Sequence, residues 1–196
     1  MSDFVDRLKL KEKAEEDRYF AGRDASLLAA RRDRAGAASG ALARVVSGGQ
    51  TGVDRAALDA ARALGIGIGG WCPRGRVAED GVIPEVYPLC ETTSADVAQR
   101  TEWNVRDSDA TLVLHRAALS GGTATTVEHA RRLGRPLLVR DLDTPIDPAE
   151  VVTWLVANQV RVLNCAGPRA SEAPEIEAQA RQVLTAIFAR WLKAGG

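Results

Sequence analysis

Lysine is absent from the whole stretch between Lys13 and Lys193, where every basic residue is arginine. That removes a Schiff-base lysine and the lysine of a Walker-type phosphate loop from the body of the protein. Any cationic anion binding there falls to arginine, whose planar fork suits phosphate. Histidine is almost as scarce, with His115 and His129 the two in the chain. The cysteines are Cys72, Cys90 and Cys165, far apart and odd in number. Neither a zinc site nor a disulfide framework is therefore expected, and no metal ligands are assigned. No Ser-His-Asp set can be argued from the spacing. Long apolar runs are missing too, so no transmembrane helix is expected, and residues 1–20 lack the apolar core of a signal peptide. Excess charge is the last absence: 26 Lys and Arg balance 26 Asp and Glu, which points to neither nucleic acid nor an anionic membrane as partner. The cytoplasm is the expected compartment.

What is present suits one domain with an appendage: 196 residues, 45% of them hydrophobic. Residues 1–34 mix both charge signs, with Lys11/Glu15 and Lys13/Asp17 four apart and a thin apolar stripe. Ala35-Gly36-Ala37-Ala38-Ser39-Gly40 reads as a linker. The expected division is a helical extension and linker over 1–40 and a ligand-binding domain over 41–196. From residue 41 onward, strand and helix signals alternate. Strands are expected at 43–46, 66–71, 111–114, 136–140 and 161–164. Helices are expected at 54–64, 94–106 with Ser94 as cap, 124–133, 148–158 and 172–192. A long loop spans 72–88. The alternation predicts an α/β protein, a Rossmann-like three-layer αβα sandwich with a mostly parallel sheet. In such sheets ligands bind outside the carboxyl ends of the strands, so function is sought in the strand-to-helix turns.

Three turns carry the chemistry. The first is Ser47-Gly48-Gly49-Gln50-Thr51-Gly52, ahead of a helix. Its glycines let a ligand reach the backbone amides, Ser47, Gln50 and Thr51 add hydrogen-bonding side chains, and the helix aims its positive end at the turn. The second, Ser120-Gly121-Gly122-Thr123, repeats the logic with Thr125 close by. Glu128, one turn further in, is either a ligand contact or a surface residue. The third places Asn164, Gly167, Arg169 and Ser171 between the last strand and the last helix, with Arg169 available to a phosphate. In the long loop, Trp71, Arg74 and Arg76 suit a lid over an anionic ligand. Glu79 and Asp80 bring opposite charge to the same loop, where they serve the site or anchor the arginines. Trp103 is either core or a stacking platform, and His115 either a surface residue or a ligand contact. The run Gly65-x-Gly67-x-Gly69-Gly70 resembles a dinucleotide fingerprint but follows a helix instead of preceding one, and is set aside. The ligand expected from these turns is small, anionic and phosphorylated.

Taken in order, SGGQTGVDRAALDAA, GWCPRGRVAEDGVIPEVYPLCE, RTEWNVRDSDATLVL, SGGTATTVEHA and LNCAGPRASEAPEI resemble the molybdenum-cofactor carrier proteins over residues 43–192. These belong to a Rossmann-like superfamily that includes the lysine-decarboxylase-like phosphoribohydrolases. The resemblance implies a homo-oligomeric carrier of molybdenum cofactor (molybdopterin), a pterin with a dithiolene-held metal and a terminal phosphate. A molybdoenzyme or a cofactor-biosynthesis protein would be its partner. Ser47–Gly52, Arg74, Arg76 and Ser120–Thr123 correspond to the family's ligand-side turns, and Trp71 offers a ring on which pterin would stack. The phosphoribohydrolases carry PGGxGTxxE. Here Ser120 replaces the proline and Ala124 the later glycine, while Thr125 and Glu128 remain. A nucleoside-monophosphate phosphoribohydrolase with Glu128 as its acid/base is the alternative reading, and a sensor of a nucleotide-derived signal is another. The lack of an evident nucleophile favours a binding protein over an enzyme.

Overall fold

In the computed structural model, which describes residues 42–116 and 118–194, β1 (Arg44–Val46) leads through the first glycine turn into α1 (Val53–Ala63). The chain continues as β2 (Gly67–Gly69), β3 (Trp71–Cys72), β4 (Val77–Ala78), β5 (Gly81–Val82), β6 (Cys90–Glu91) and α2 (Val97–Arg106). It ends with β7 (Ala110–His115), α3 (Gly121–Arg132), β8 (Leu137–Asp141), α4 (Pro148–Ala157), β9 (Val162–Ala166) and α5 (Ile176–Ala194). The helical extension and linker expected over 1–40 lie outside the described residues.

The main sheet has five strands in the order β2-β1-β9-β7-β8, and all of its pairings are parallel. Helices α1 and α4 both pack on α5, while α2 packs on α3. The two crossovers that move toward β2 run through α1 and α4. The two that move toward β8 run through α2 and α3. One helical layer thus serves each direction, as a single crossover hand requires in a twisted parallel sheet. This is the Rossmann-like sandwich that the alternation predicts. Its strand order has a further feature. Counted from β9 as the first strand, the order becomes 3-2-1-4-5, that of the first five strands of a doubly wound Rossmann sheet. The chain therefore runs through that arrangement from a different starting strand. The helices that follow neighbouring β9 and β7 lie on opposite layers, so the crevice outside their carboxyl ends is the topological switch point.

Burial explains the layers. Ile176, Ala180, Leu184, Ile187, Phe188 and Trp191 recur at helical spacing and form the buried stripe of α5. Ala56, Ala57, Ala60 and Ala61 of α1 are all buried, and their small side chains let α5 come close. Val45, Leu163, Cys165, Leu112 and Leu114 belong to this same core. A second apolar cluster joins Leu58 of α1 to Cys72, Ala78, Ile83, Tyr87 and Leu89 of the long loop, fastening that loop down.

Boundaries shift where local chemistry overrides periodicity. The strand expected at 66–71 breaks at Gly70, and Trp71 instead pairs with Cys90 in a separate two-stranded sheet. Asp96, not Ser94, caps α2, accepting from the Ala98 amide at 2.9 Å. Ser94 supports the turn before it, accepting from the Asp96 amide at 3.0 Å. Helix α3 takes in Gly121 and Gly122 rather than starting after them. Helix α5 starts at Ile176, four residues late, because Glu175 just before it takes a left-handed conformation, with φ 66°, that a continuous helix cannot include. Phe188 is fully buried in the α1–α4–α5 layer. Phe188→Ala should cost about 3–5 kcal/mol. Urea denaturation should show this as a lower midpoint at unchanged slope.

Candidate functional site

The first turn leaves the end of β1 and is used largely by the protein itself. Ser47 is fully buried, its Oγ donating to the Cys165 carbonyl at 2.8 Å and its amide to the Gly69 carbonyl at 3.1 Å. It ties β1 to both neighbouring strands. The Gln50 Oε1 accepts from the amides of Thr51 and Glu79, each at 3.0 Å. The amides of Gln50 and Gly52 donate to Asp54 and Glu177, each at 3.3 Å, and that of Val53 to the Pro168 carbonyl at 3.2 Å. The positive end of α1 therefore already faces two carboxylates, an arrangement worth about 0.3–1 kcal/mol each at exposed sites. Gly52 has φ 76°, and a Cβ there would come within 2.4 Å of the Pro168 carbonyl. Only glycine allows the third turn to close on the first.

Arg100, which sequence patterning leaves as an ordinary helix residue, completes this turn. Its Nη1 donates to Asp54 Oδ2 at 2.9 Å, with side chains 16% and 5% exposed. A Cβ on Gly48 would fall 1.5 Å from that Nη1, so the glycine makes room for the guanidinium. The arginine Nε is buried without a hydrogen-bond partner in the structure. No local signal couples Arg100 to a turn whose Asp54 lies 46 residues earlier in the chain.

The long loop is a built lid. Arg76 donates to the carbonyls of Ile83, Leu89 and Pro84, each at 3.1 Å, and to that of Tyr87 at 2.9 Å. Its guanidinium is thus spent on holding the loop together. Arg74 is exposed. The pairs Val77↔Val82 and Ala78↔Gly81 form an antiparallel hairpin with Glu79 and Asp80 at its tip. These carboxylates meet neither Arg74 nor Arg76. Asp80 takes both terminal nitrogens of Arg55, at 2.5 and 2.8 Å. Glu79 accepts from the Thr51 hydroxyl, the Ser171 hydroxyl and the Ser171 amide, the last at 3.2 Å, and lies 3.6 Å from Arg169 Nε. Trp71 is 4% exposed, edge-on to Trp103 at 4.8 Å, with its Nε1 donating to Asp107 at 2.8 Å. Its ring is core and presents no face for a pterin to stack on, which corrects that expectation.

The second turn differs in being open. Residues 118–122 are exposed and Thr123 is buried. Ser120 caps α3 in an extended conformation and makes no side-chain cap bond. The amides of Thr123 and Ala124 return to its carbonyl at 3.1 and 3.2 Å. Those of Gly121 and Gly122 stand at the very start of the helix, where donors have no intrahelical acceptor. Glu128 is exposed further along the same helix. In the third turn, Asn164 is buried and donates to Thr111 Oγ1 at 3.2 Å inside the sheet layer. Arg169 is 46% exposed and donates to Glu172 Oε1 at 2.9 Å. That same Glu172 oxygen is the nearest atom to where a Gly121 side chain would stand, at 3.6 Å. The Ala170 amide donates to Thr51 Oγ1 at 3.1 Å. The three turns thus meet along one edge of the sheet. Among the described residues, no group of three or more His, Cys, Asp or Glu is placed to hold a metal ion.

A strand order that becomes regular when counted from β9 is what a permuted chain produces. The model of the circularly permutated YpsA SLOG family matches residues 45–188. The chain belongs to that family. A solved structure from Syntrophus aciditrophicus SB, described as a "Putative molybdenum carrier protein", is 45% identical. The match covers 76% of this chain and 95% of that one, with a TM-score of 0.70. No curated protein matches the sequence. No described helix is long and apolar enough to cross a membrane.

Two outcomes test this geometry. Arg76→Met removes the donors to four carbonyls, so amides over residues 76–89 should exchange hydrogen at least about tenfold faster, as expected for losing charge-assisted bonds. Exchange over α5 should stay unchanged. The second test concerns pH. Burial pushes the Glu79 carboxyl up, but the bonds from Ser171 and Thr51 and the charge of Arg169 outweigh it, leaving a net lowering. The Arg55 guanidinium lowers Asp80. Both carboxyls are depressed when folded, so their contribution is complete above the ordinary carboxylate range and is lost as pH falls through the lowered values. The melting-temperature advantage of the wild type over Glu79→Gln/Asp80→Asn should be full at neutral pH and shrink on acidification.

Proposed function

We propose that this protein binds and carries molybdenum cofactor, or a related phosphorylated pterin, at the carboxyl edge of its sheet. The observation behind the reading is the meeting of three glycine-bearing turns at the switch point, in a chain 45% identical to a protein described as a molybdenum carrier. Ser120, Gly121, Gly122 and Thr123 form the open end of this edge, with two helix-start amides and a hydroxyl. Arg169 stands half-exposed beside them and Arg74 is exposed on the lid. Amides, hydroxyls and arginines suit a phosphate monoester: the helix dipole contributes about 0.3–1 kcal/mol and each charge-assisted bond about 1.5–3 kcal/mol. Gln50, Thr51 and Gly52 shape the floor, Gly48 and Gly49 lie next to it, and Ser47 and Arg76 hold the frame. The metal of such a cargo is carried by the pterin's own dithiolene, so the protein's task is to bind and shield. The carrier works as a homo-oligomer in the cytoplasm. It exchanges cargo with a molybdoenzyme or a cofactor-biosynthesis protein, and the segment 1–40 is an appendage to the ligand domain 41–196.

Protein purified from molybdenum-replete cells should release a pterin detectable by mass spectrometry, and Gly122→Asp, which sets a carboxylate at the start of α3, should abolish its retention. Protein that holds no pterin and does not bind added cofactor would overturn the reading.

A further inference from the structure

The Glu79 carboxylate has an environment that its own hairpin does not supply. Its three hydrogen-bond donors and its ion-pair partner all come from the first and third turns: the Thr51 hydroxyl, the Ser171 hydroxyl, the Ser171 amide at 3.2 Å and, as a charge 3.6 Å away, the Arg169 guanidinium. Thr51 and Ser171 lie on either side of the junction between β1 and β9, so only the folded sheet edge brings these donors together. They surround two carboxylate oxygens as they would surround two oxygens of a phosphate. The Glu79 side chain is 18% exposed, at the rim of the crevice rather than in the core. The hairpin does not depend on this contact to stay in place. Asp80 binds Arg55 through two bonds, Arg76 holds four carbonyls, Gln50 holds the Glu79 amide, and Ala78 and Ile83 are buried against Leu58. A carboxylate that the lid does not need for anchorage fills a set of donors built for an anion.

The geometry points to a second oxyanion subsite, formed by Thr51, Ser171 and Arg169 next to the open turn at Gly121–Gly122, which Glu79 occupies as a built-in competitor. A ligand oxyanion, of phosphate or sulfate type, takes the place of the carboxylate, and Glu79 swings outward while the hairpin remains docked. This deepens the carrier reading and rests on it for its biological meaning. Glu79 then sets a threshold: only an anion that also gains from the neighbouring turn displaces it. Repulsion between Glu79 and an incoming anion makes the exchange one for one.

Inorganic phosphate is a sufficient probe, titrated by calorimetry into the full-length chain in a phosphate-free buffer, with amide chemical shifts followed by NMR. Removing the competitor in Glu79→Ala should tighten phosphate binding about tenfold, the scale of one charge-assisted contact. The Ala170 and Ser171 amide signals should move with the same affinity. Adding Thr51→Val or Ser171→Ala to that variant should cancel the gain. Glu79→Gln, which keeps the shape and removes the charge, should show the same direction and covers the case in which the alanine variant misfolds. Equal phosphate affinity in the wild type and in both Glu79 variants would overturn the subsite, as would shifts confined to residues 120–123. Because the probe contains no pterin, the two readings fail separately. A Glu79-dependent gain in a protein that holds no pterin keeps the subsite and removes the carrier function. Retained pterin with Glu79-independent phosphate binding does the reverse.

Discussion

The parallel ladder between β1 and β9 joins the first described strand to the last, pairing Val45 with Leu163 and Val46 with Asn164 at the centre of the sheet. The Ser47 hydroxyl extends it to the Cys165 carbonyl, across a sequence separation of 118 residues. Closing so long a loop costs chain entropy, though that cost grows only logarithmically with length. The return is large, because α5 buries its stripe against α1, α4 and the sheet, and its meeting with the alanine face of α1 exists only once β9 lies beside β1. The third turn is brought against the first by the same ladder. Core, layer order and site therefore depend on one junction between distant parts of the chain.

That junction also accounts for how the first turn is used. Glycine turns ahead of helices are natural anion cradles, because the first helical amides lack intrahelical partners. Here the returning chain supplies the Pro168 carbonyl for Val53 and Glu177 for Gly52, while the helix itself supplies Asp54 for Gln50. The first turn has become a structural knot, braced by Arg100 against Gly48. A buried ion pair such as Arg100–Asp54 adds little net stability but is costly to break by removing one partner. It fixes how the turn is shaped rather than how strongly the domain is held. Among the described residues no returning segment covers the second turn, and residues 118–122 remain exposed.

The lid follows from the same economy of charge. With no lysine between Lys13 and Lys193, the cationic tasks around the sheet edge fall to arginines, and the structure divides those tasks among them. Arg76 holds a loop by its carbonyls, Arg55 holds the hairpin tip through Asp80, and Arg100 braces a turn. Arg169, between Glu79 and Glu172, stays half-exposed. Residue type alone does not separate these roles, because a guanidinium that binds backbone carbonyls and one that binds phosphate use the same five donors.

The sequence by itself determined the alternation of strands and helices, the parallel sheet and the residue types at its carboxyl edge. These follow from hydrophobic period, glycine placement and hydrogen-bonding inventory, which are local properties. It also carried the family resemblance, through motifs whose order survives along the chain. Tertiary structure alone decided the partners. Ser47, Gln50 and Arg76 were legible as donors and acceptors, but their counterparts at Cys165, Glu79 and the carbonyls of residues 83–89 come from elsewhere in the fold. The position of β9 beside β1, the brace of Arg100 on Gly48 and the seat of Glu79 among Thr51, Ser171 and Arg169 have no local signature. Hydrogen bonds and ion pairs form between whichever groups the sheet order brings within about 3 Å, and strand order is set by global packing of the layers rather than by any segment's own pattern.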